Sequence, residues 1–145
     1  MTLPAWLISF DRRVVIDTGV LISAAITPQS VPALALEKVW LLFDVCASQS
    51  SLAELMRVVL ADKFEAYRPR LSRAQVVEAF IQRAKRFEVT ISVTDCSDPK
   101  DNQFLELAET ADAEMIISSD TDLMVLHSWR GIPILPPSAF LIGIC

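Results

Sequence analysis

The stretch Val14–Ala24 constrains the fold more than any other part of the chain. It reads Val-Val-Ile-Asp-Thr-Gly-Val-Leu-Ile-Ser-Ala, so three β-branched residues lead into an acid and a Thr-Gly step leads into an apolar run. This order predicts a buried strand and a helix directly behind it. In open α/β sheets, ligands bind just beyond the carboxyl ends of the strands. Asp17 is therefore predicted to lie where a ligand would bind, and we expect no structural reason for an acid at the end of a buried strand.

Length and composition indicate one domain. The chain has 145 residues, of which 52% are hydrophobic, and this is enough to bury a core. We expect residues 13–141 to form the domain and residues 1–12 to form an N-terminal arm. Neither a membrane-spanning segment nor a signal peptide is evident. The three cysteines share no metal-ligand spacing, which favours reduced thiols in the cytoplasm.

The charge of the chain is unevenly distributed. A net charge of −5 argues against a general nucleic-acid binder. Residues 57–86, however, contain eight basic and three acidic residues. This region is either a solvated helical face or a surface that contacts phosphates, and the sequence alone favours neither interpretation.

Strands and helices alternate along the rest of the chain, which predicts a parallel sheet covered by helices on both faces. A heavily apolar helix that begins near Pro32 is expected to be buried, and the next helix is expected to be capped by Ser50 or Ser51. Ser72 is predicted to cap a long helix with its basic residues outward. Further strands are predicted at 44–48, 115–120 and 132–135, and residues 87–93 are predicted to be a strand or the entry into one. Further helices are predicted behind Asp98, at 121–127 and at 136–141.

Acids stand at four junctions between these elements. Two follow strands, one lies early on a helix and one opens a helix, and they are Asp17, Asp120, Glu54 and Asp101. Strand ends and the helix starts behind them share one edge of such a sheet, so the acids can converge in one cleft. Two charges about 4 Å apart repel by about 4 kcal/mol at an effective dielectric near 20. A cluster of this kind therefore needs protons or a hard cation such as Mg²⁺ or Mn²⁺.

Each acid also has a structural alternative. Asp98 and Asp120 suit helix caps, and we assign Asp98 no other role. Asp101 suits the positive end of a helix dipole, and Glu54 can pair with Arg57 one turn away. The joint occurrence of four acids in this order favours a metal site over these separate roles.

Four motifs in this order resemble the PIN-domain nucleases. They are Ile-Asp-Thr-x-Val-Leu-Ile-Ser-Ala, Ser-x-x-x-Glu-Leu, Asp-Pro-x-Asp-Asn and Ile-Ile-Ser-x-Asp-x-Asp-Leu, and the match runs from about Arg13 to Leu141. The chain is especially similar to the VapC-like branch, whose members are regarded as toxins of toxin–antitoxin pairs. Gly19 departs from the pattern, since many members have Asn at this position.

The resemblance implies a three-layer α/β/α sandwich with a central parallel sheet. It implies a metal-dependent ribonuclease that acts on RNA, is held inactive by an antitoxin and forms a homodimer. The catalytic residues that would bind Mg²⁺ or Mn²⁺ are Asp17, Glu54, Asp101 and Asp120. Supporting positions around them are Thr18, Asn102, Ser118 and Asp122. Candidate RNA contacts are Arg57, Lys63, Arg68 and Arg70.

Other classes of protein remain as alternatives. The main one is a catalytically silent PIN-like module that binds RNA or a partner protein. Asp17-Thr18-Gly19 also spells the aspartic-protease triplet, but those enzymes are all-β and Val20 begins a helical pattern here. A phosphatase of the haloacid-dehalogenase type would need a second Asp where Gly19 stands.

Overall fold

A five-stranded parallel sheet forms the centre of the described part of the molecule. The computed structural model describes residues 12–143, so the expected N-terminal arm, apart from Arg12, lies outside the described residues. The strands are β1 (Arg13–Ile16), β2 (Asp44–Ala47), β3 (Lys85–Arg86), β4 (Met115–Ile117) and β5 (Ile134–Leu135). Their order in the sheet is β3-β2-β1-β4-β5, which makes β1 the central strand.

Helices cover both faces of this sheet. They are α1 (Thr18–Ile26), α2 (Val31–Leu42), α3 (Gln49–Val59), α4 (Arg70–Arg83), α5 (Asn102–Ala111), α6 (Thr121–Met124) and α7 (Pro137–Leu141), with 3₁₀ turns at Asp62–Phe64 and Pro99–Asp101. Successive residues of a strand face opposite sides of the sheet. Val14 and Ile16 accordingly pack into one core cluster with α1 to α4 and α7, whereas Val15 packs into a second cluster with α5. The predicted three-layer α/β/α sandwich is confirmed.

Helix α2 is more exposed than its apolar sequence predicts. Of its twelve residues, only Ala35 and Val39 are buried. Leu41 is 72% exposed and Leu34 is 43% exposed. The helix packs along one side against α1 and α7, which leaves its opposite side open. No single helix among residues 12–143 has the length and apolar composition of a membrane span, and α1 and α2 meet this test only as a pair with a 109° bend.

Two predicted helix starts are wrong. Ser48, and neither Ser50 nor Ser51, caps α3: its Oγ accepts a hydrogen bond from Ser51 N at 3.2 Å, and Ser51 Oγ accepts one from Ser48 N at 2.9 Å. This reciprocal arrangement is a capping box. Helix α4 begins at Arg70, immediately after Pro69, so Ser72 lies inside the helix and does not cap it.

The predicted strand at 87–93 is also wrong. Strand β3 ends at Arg86, and residues 87–95 have no regular structure. Beyond Phe87 the chain is held to α5 instead of the sheet, because Val93 N donates to Glu106 Oε2 at 2.9 Å and Cys96 N donates to Asn102 Oδ1 at 2.8 Å. The elements β4, α6 and β5 exist as predicted but are shorter.

Arg73 is fully buried, which contradicts the prediction that the basic residues of this helix face outward. Its guanidinium donates to the backbone carbonyls of Val59, Ala61 and Arg68. It also pairs with the carboxylate of Glu65 at 3.1 Å. A buried cation needs such partners, because it has lost its contact with water. Arg73 therefore stabilises the conformation of the segment that connects α3 to α4.

We predict that Arg73→Met lowers the free energy of unfolding by about 3 kcal/mol, because three carbonyls lose a charged donor. The matched control is Arg70→Met on the same helix, whose ion pair with Asp62 is exposed. An exposed pair contributes about 0–1 kcal/mol. Urea unfolding measures both variants, and equal small losses would contradict the structural role of Arg73.

Candidate active site

The carboxyl edge of the sheet opens into a cavity of about 580 Å³. Four of its lining residues are acids from segments that are far apart in the sequence: Asp17, Glu54, Asp101 and Asp120. Asp17 directly follows β1, Glu54 lies on α3 and Asp101 immediately precedes α5. The structure therefore brings together the four acids predicted from the sequence, while their role as metal ligands stays a prediction.

Two of these acids are also helix caps. Asp17 Oδ1 accepts a hydrogen bond from Val20 N at 2.9 Å at the start of α1. Asp120 Oδ1 accepts one from Asp122 N at 2.8 Å at the start of α6. The expectation that Asp17 has no structural role is therefore wrong, since the helix begins so soon after the strand that the acid caps it. A carboxylate has about four lone-pair sites, so capping leaves it able to bind a cation.

Ser118 joins the acids of β1 and β4. Its side chain is fully buried, and its Oγ donates to Asp17 Oδ2. The same oxygen accepts a hydrogen bond from Asp120 N at 3.0 Å. One hydroxyl thus contacts both acids, while its supporting role at a metal site stays a prediction.

Glu54 is held from two sides. Its Oε2 accepts hydrogen bonds from Thr18 Oγ1 at 2.7 Å and from Gln103 Nε2 at 3.1 Å. Among the described residues no ion pair joins Glu54 to Arg57, which was the structural alternative for this acid. The side chain of Glu54 is thus directed by neighbours that belong to the segments of Asp17 and Asp101.

Among the four acids, Asp101 has a strongly raised pKa and a buried oxygen without a described hydrogen-bond partner. The residue is 6% exposed, and its Oδ2 is buried with no hydrogen-bond partner among the described residues. Burial raises the pKa of Asp101 to about 7, and the nearby Asp120 carboxyl adds to the rise. Burial also raises the pKa of Asp17, although the hydrogen bond from Ser118 opposes this. The cluster is therefore unfavourable as bare anions, and it is relieved by protons or by a cation.

A second group of acids shares Asp101. One carboxylate oxygen from each of Asp98, Asp101 and Asp122 lies within 4.8 Å of the others. Asp98 caps the 3₁₀ turn as predicted, since its Oδ1 accepts a hydrogen bond from Lys100 N at 3.3 Å. Its position beside Asp101 means that the prediction of a cap alone is incomplete. Neither Asp98 nor Asp122 is among the described residues that line the cavity.

The predicted supporting residues divide into two groups. Thr18 lines the cavity, whereas Ser118 is not among the described lining residues and contacts one of them, Asp17, through its hydroxyl. Asn102 instead turns toward the irregular segment, where its Oδ1 accepts a hydrogen bond from Cys96 N. Asn102 is not among the described residues that line the cavity, and its supporting role stays a prediction.

The predicted RNA contacts also divide. Arg57 and Lys63 line the cavity. Arg68 and Arg70 are not among the described residues that line the cavity. Arg68 donates to Ala25 O at 3.0 Å, and Arg70 forms an ion pair with Asp62 at 2.7 Å. Lys100 is an exposed lining residue that was not predicted, although its place between Pro99 and Asp101 in a predicted motif was an available signal.

Gly19 leaves space beside the acids. A Cβ atom at this position would lie 3.7 Å from Asp17 Oδ1 and 3.8 Å from Ser119 Oγ, which are ordinary contact distances. A larger side chain would therefore begin at the cavity wall. The space around this position would admit a larger side chain, so the fold does not require glycine here. The absence of Asn therefore removes a possible polar group beside Asp17 and leaves the fold unchanged.

This fold and site define a class of α/β proteins with a carboxylate-lined cleft at the carboxyl edge of a parallel sheet. A sequence profile of the PIN domain matches residues 13–122. The chain belongs to the PIN-domain family, and membership of this family indicates a nuclease.

The chain is also similar to one relative and to two solved structures. The uncharacterized protein MJ1680 of Methanocaldococcus jannaschii is 32% identical over 120 residues, which cover 79% of this chain and 75% of that protein. A chain in the crystal structure of VapBC2 from Rickettsia felis, bound to a DNA fragment from the promoter, has a TM-score of 0.58 and 10% identity, with 86% of this chain and 98% of that chain covered. PAE2754 from Pyrobaculum aerophilum has a TM-score of 0.59 and 11% identity, with coverages of 92% and 90%. The two structures share the fold.

We predict that the metal-free protein loses stability as the pH rises from about 4 to about 7. In this window the folded state keeps the proton of Asp101, whose pKa is raised to about 7, while the unfolded state has lost it. The unfolded state thus binds fewer protons, and stability falls with pH. Urea unfolding in chelator at several pH values measures the slope.

Asp101→Asn removes this titration and should flatten the slope across the same window. The control is Asp112→Asn at the exposed left-handed end of α5, a conformation that Asn tolerates, and it should keep the wild-type slope. Equal slopes in wild type and Asp101→Asn would contradict the assignment to Asp101.

Proposed function

We propose that the protein is a metal-dependent endoribonuclease that hydrolyses phosphodiester bonds of RNA. The observation that carries the proposal is the convergence of Asp17, Glu54, Asp101 and Asp120 on one cavity. These acids reach the cavity from four segments, and hydrogen bonds hold the side chains of Asp17, Glu54 and Asp120 in place. Membership of the PIN-domain family supports nuclease chemistry, and the choice of RNA rests on the resemblance to the VapC-like branch.

The residues present fit a hard divalent cation. Mg²⁺ and Mn²⁺ prefer carboxylate oxygens, and the cavity offers four carboxylates. Asp101 Oδ2 is buried with no hydrogen-bond partner among residues 12–143, so this oxygen has a lone pair to offer. The four acids would hold Mg²⁺ or Mn²⁺, which when bound activates water and stabilises the charge of a phosphoryl group.

The other residues of the cavity would orient the acids and bind the substrate. Ser118 and Thr18 fix carboxylate oxygens of Asp17 and Glu54 before any substrate arrives. Preorganised groups of this kind need no rearrangement during the reaction. Arg57 and Lys63, which are exposed at the cavity, would contact RNA phosphates and offset the local negative charge.

We further propose that the chain is the toxin of a toxin–antitoxin pair. It would act in the cytoplasm as a homodimer and be held inactive by a cognate antitoxin protein. The order of the four motifs supports this biological role. Similarity of fold to a chain of VapBC2 from Rickettsia felis is consistent with it.

We predict RNA cleavage in Mg²⁺ or Mn²⁺ that is abolished by chelator. Asp17→Asn should lower the rate at least about 100-fold, because it removes one carboxylate from the site. Asn caps helices about as well as Asp, so the variant should keep the start of α1 intact. Asp112→Asn, at the exposed end of α5, is the matched control and should cleave like the wild type.

The assay uses a labelled RNA and the purified full chain. Cleavage that continues unchanged in chelator would contradict the role of the metal. Binding of RNA with no cleavage in either metal would favour the alternative, a catalytically silent PIN-like module.

A further inference from the structure

Gln103 connects the segments of two of the acids, Glu54 and Asp101. It lies in the first turn of α5, two residues after Asp101, and its Nε2 donates to Glu54 Oε2 at 3.1 Å and to Lys100 O at 3.0 Å. Thr18, the neighbour of Asp17, donates to the same Glu54 oxygen at 2.7 Å. One carboxylate oxygen of Glu54 therefore receives donors from both flanks of the cavity.

The orientation of the Gln103 amide is set by these two bonds. Its Oε1 is buried with no hydrogen-bond partner among the described residues, which is unfavourable by itself. Rotating the amide by half a turn would place this oxygen against two acceptors, Glu54 Oε2 and Lys100 O. The observed orientation is therefore favoured although it leaves Oε1 unpartnered, because it keeps the hydrogen bond from Nε2 to Glu54.

We propose that Gln103 is a positioning residue for Glu54 as a metal ligand, an inference that rests on the proposed function. With Oε2 fixed by Gln103 and Thr18, the other oxygen of Glu54 is presented in one orientation to the cation. Gln103 itself is not among the described residues that line the cavity, so it acts through Glu54. Partners of metal ligands commonly change metal affinity or activity about 10–100-fold when they are removed.

The test is Gln103→Met, which keeps the length of the side chain and removes its donor. The Kd for Mn²⁺ is obtained from the rise of the unfolding temperature with metal concentration, since a ligand of the native state stabilises it. We expect this Kd to rise about tenfold or more. The metal-free unfolding temperature should stay close to that of the wild type, because the substitution also removes the unpartnered oxygen. With RNA, kcat should fall at saturating metal while KM stays unchanged.

The matched control is Gln82→Met, an exposed position on α4, which should bind Mn²⁺ like the wild type. If the wild type and Gln103→Met bind Mn²⁺ equally tightly, the positioning role is overturned and the proposed function stands. A lower metal-free unfolding temperature with unchanged Mn²⁺ affinity would reduce Gln103 to a structural tie and also overturn it. If Mn²⁺ does not stabilise the wild type, the proposed function and this inference fail together.

Discussion

The pairing of β1 with β4 is the constraint on which the rest of the site depends. Ile16 lies opposite Ile117 in this parallel pair, and the next residue, Asp17, donates its N–H to Ile117 O at 3.0 Å. The register therefore brings Asp17 beside Ser118, whose buried hydroxyl bonds to it. Since the side-chain period of a strand is two, a slip of one residue would turn these side chains to the opposite face. The site is thus a consequence of strand pairing at the centre of the sheet.

Two of the carboxylates proposed to bind the metal also stabilise the fold. Asp17 and Asp120 each cap a helix, and the caps hold the acids at the mouth of the cavity. Helix capping stabilises the protein and so opposes the repulsion among the gathered negative charges. Part of this repulsion remains, as the unpartnered oxygen and the raised pKa of Asp101 indicate. A cation would remove this remaining repulsion, and its binding would therefore be coupled to folding.

The parts that could be predicted from the sequence depend on local patterns. Val14 to Ile16 indicate a buried strand, and an acid at its end must lie at the ligand-binding edge once the sheet is parallel. Some errors concern the exact residue at which a helix begins, whereas the two larger ones occurred where distant segments decide the outcome. The helical period around Arg73 predicts that its side chain faces solvent. In the structure the connection between α3 and α4 buries it, and its guanidinium donates to backbone carbonyls there. Alternation after Phe87 indicates a strand, but Asn102 and Glu106 hold that segment to a helix. No sequence pattern indicates a role for Gln103, because its proposed role depends on a hydrogen bond to Glu54, which lies far away in the sequence.

In the proposed function, the four acids of the cavity form one metal site. The most direct measurement is anomalous diffraction from a crystal of the wild-type protein soaked in Mn²⁺. We expect a manganese peak in the cavity, within coordination distance of carboxylate oxygens of Asp17, Glu54, Asp101 and Asp120. A peak held only by Asp98 and Asp122, or no peak at the carboxyl edge of the sheet under conditions that saturate a known manganese protein, would contradict this claim.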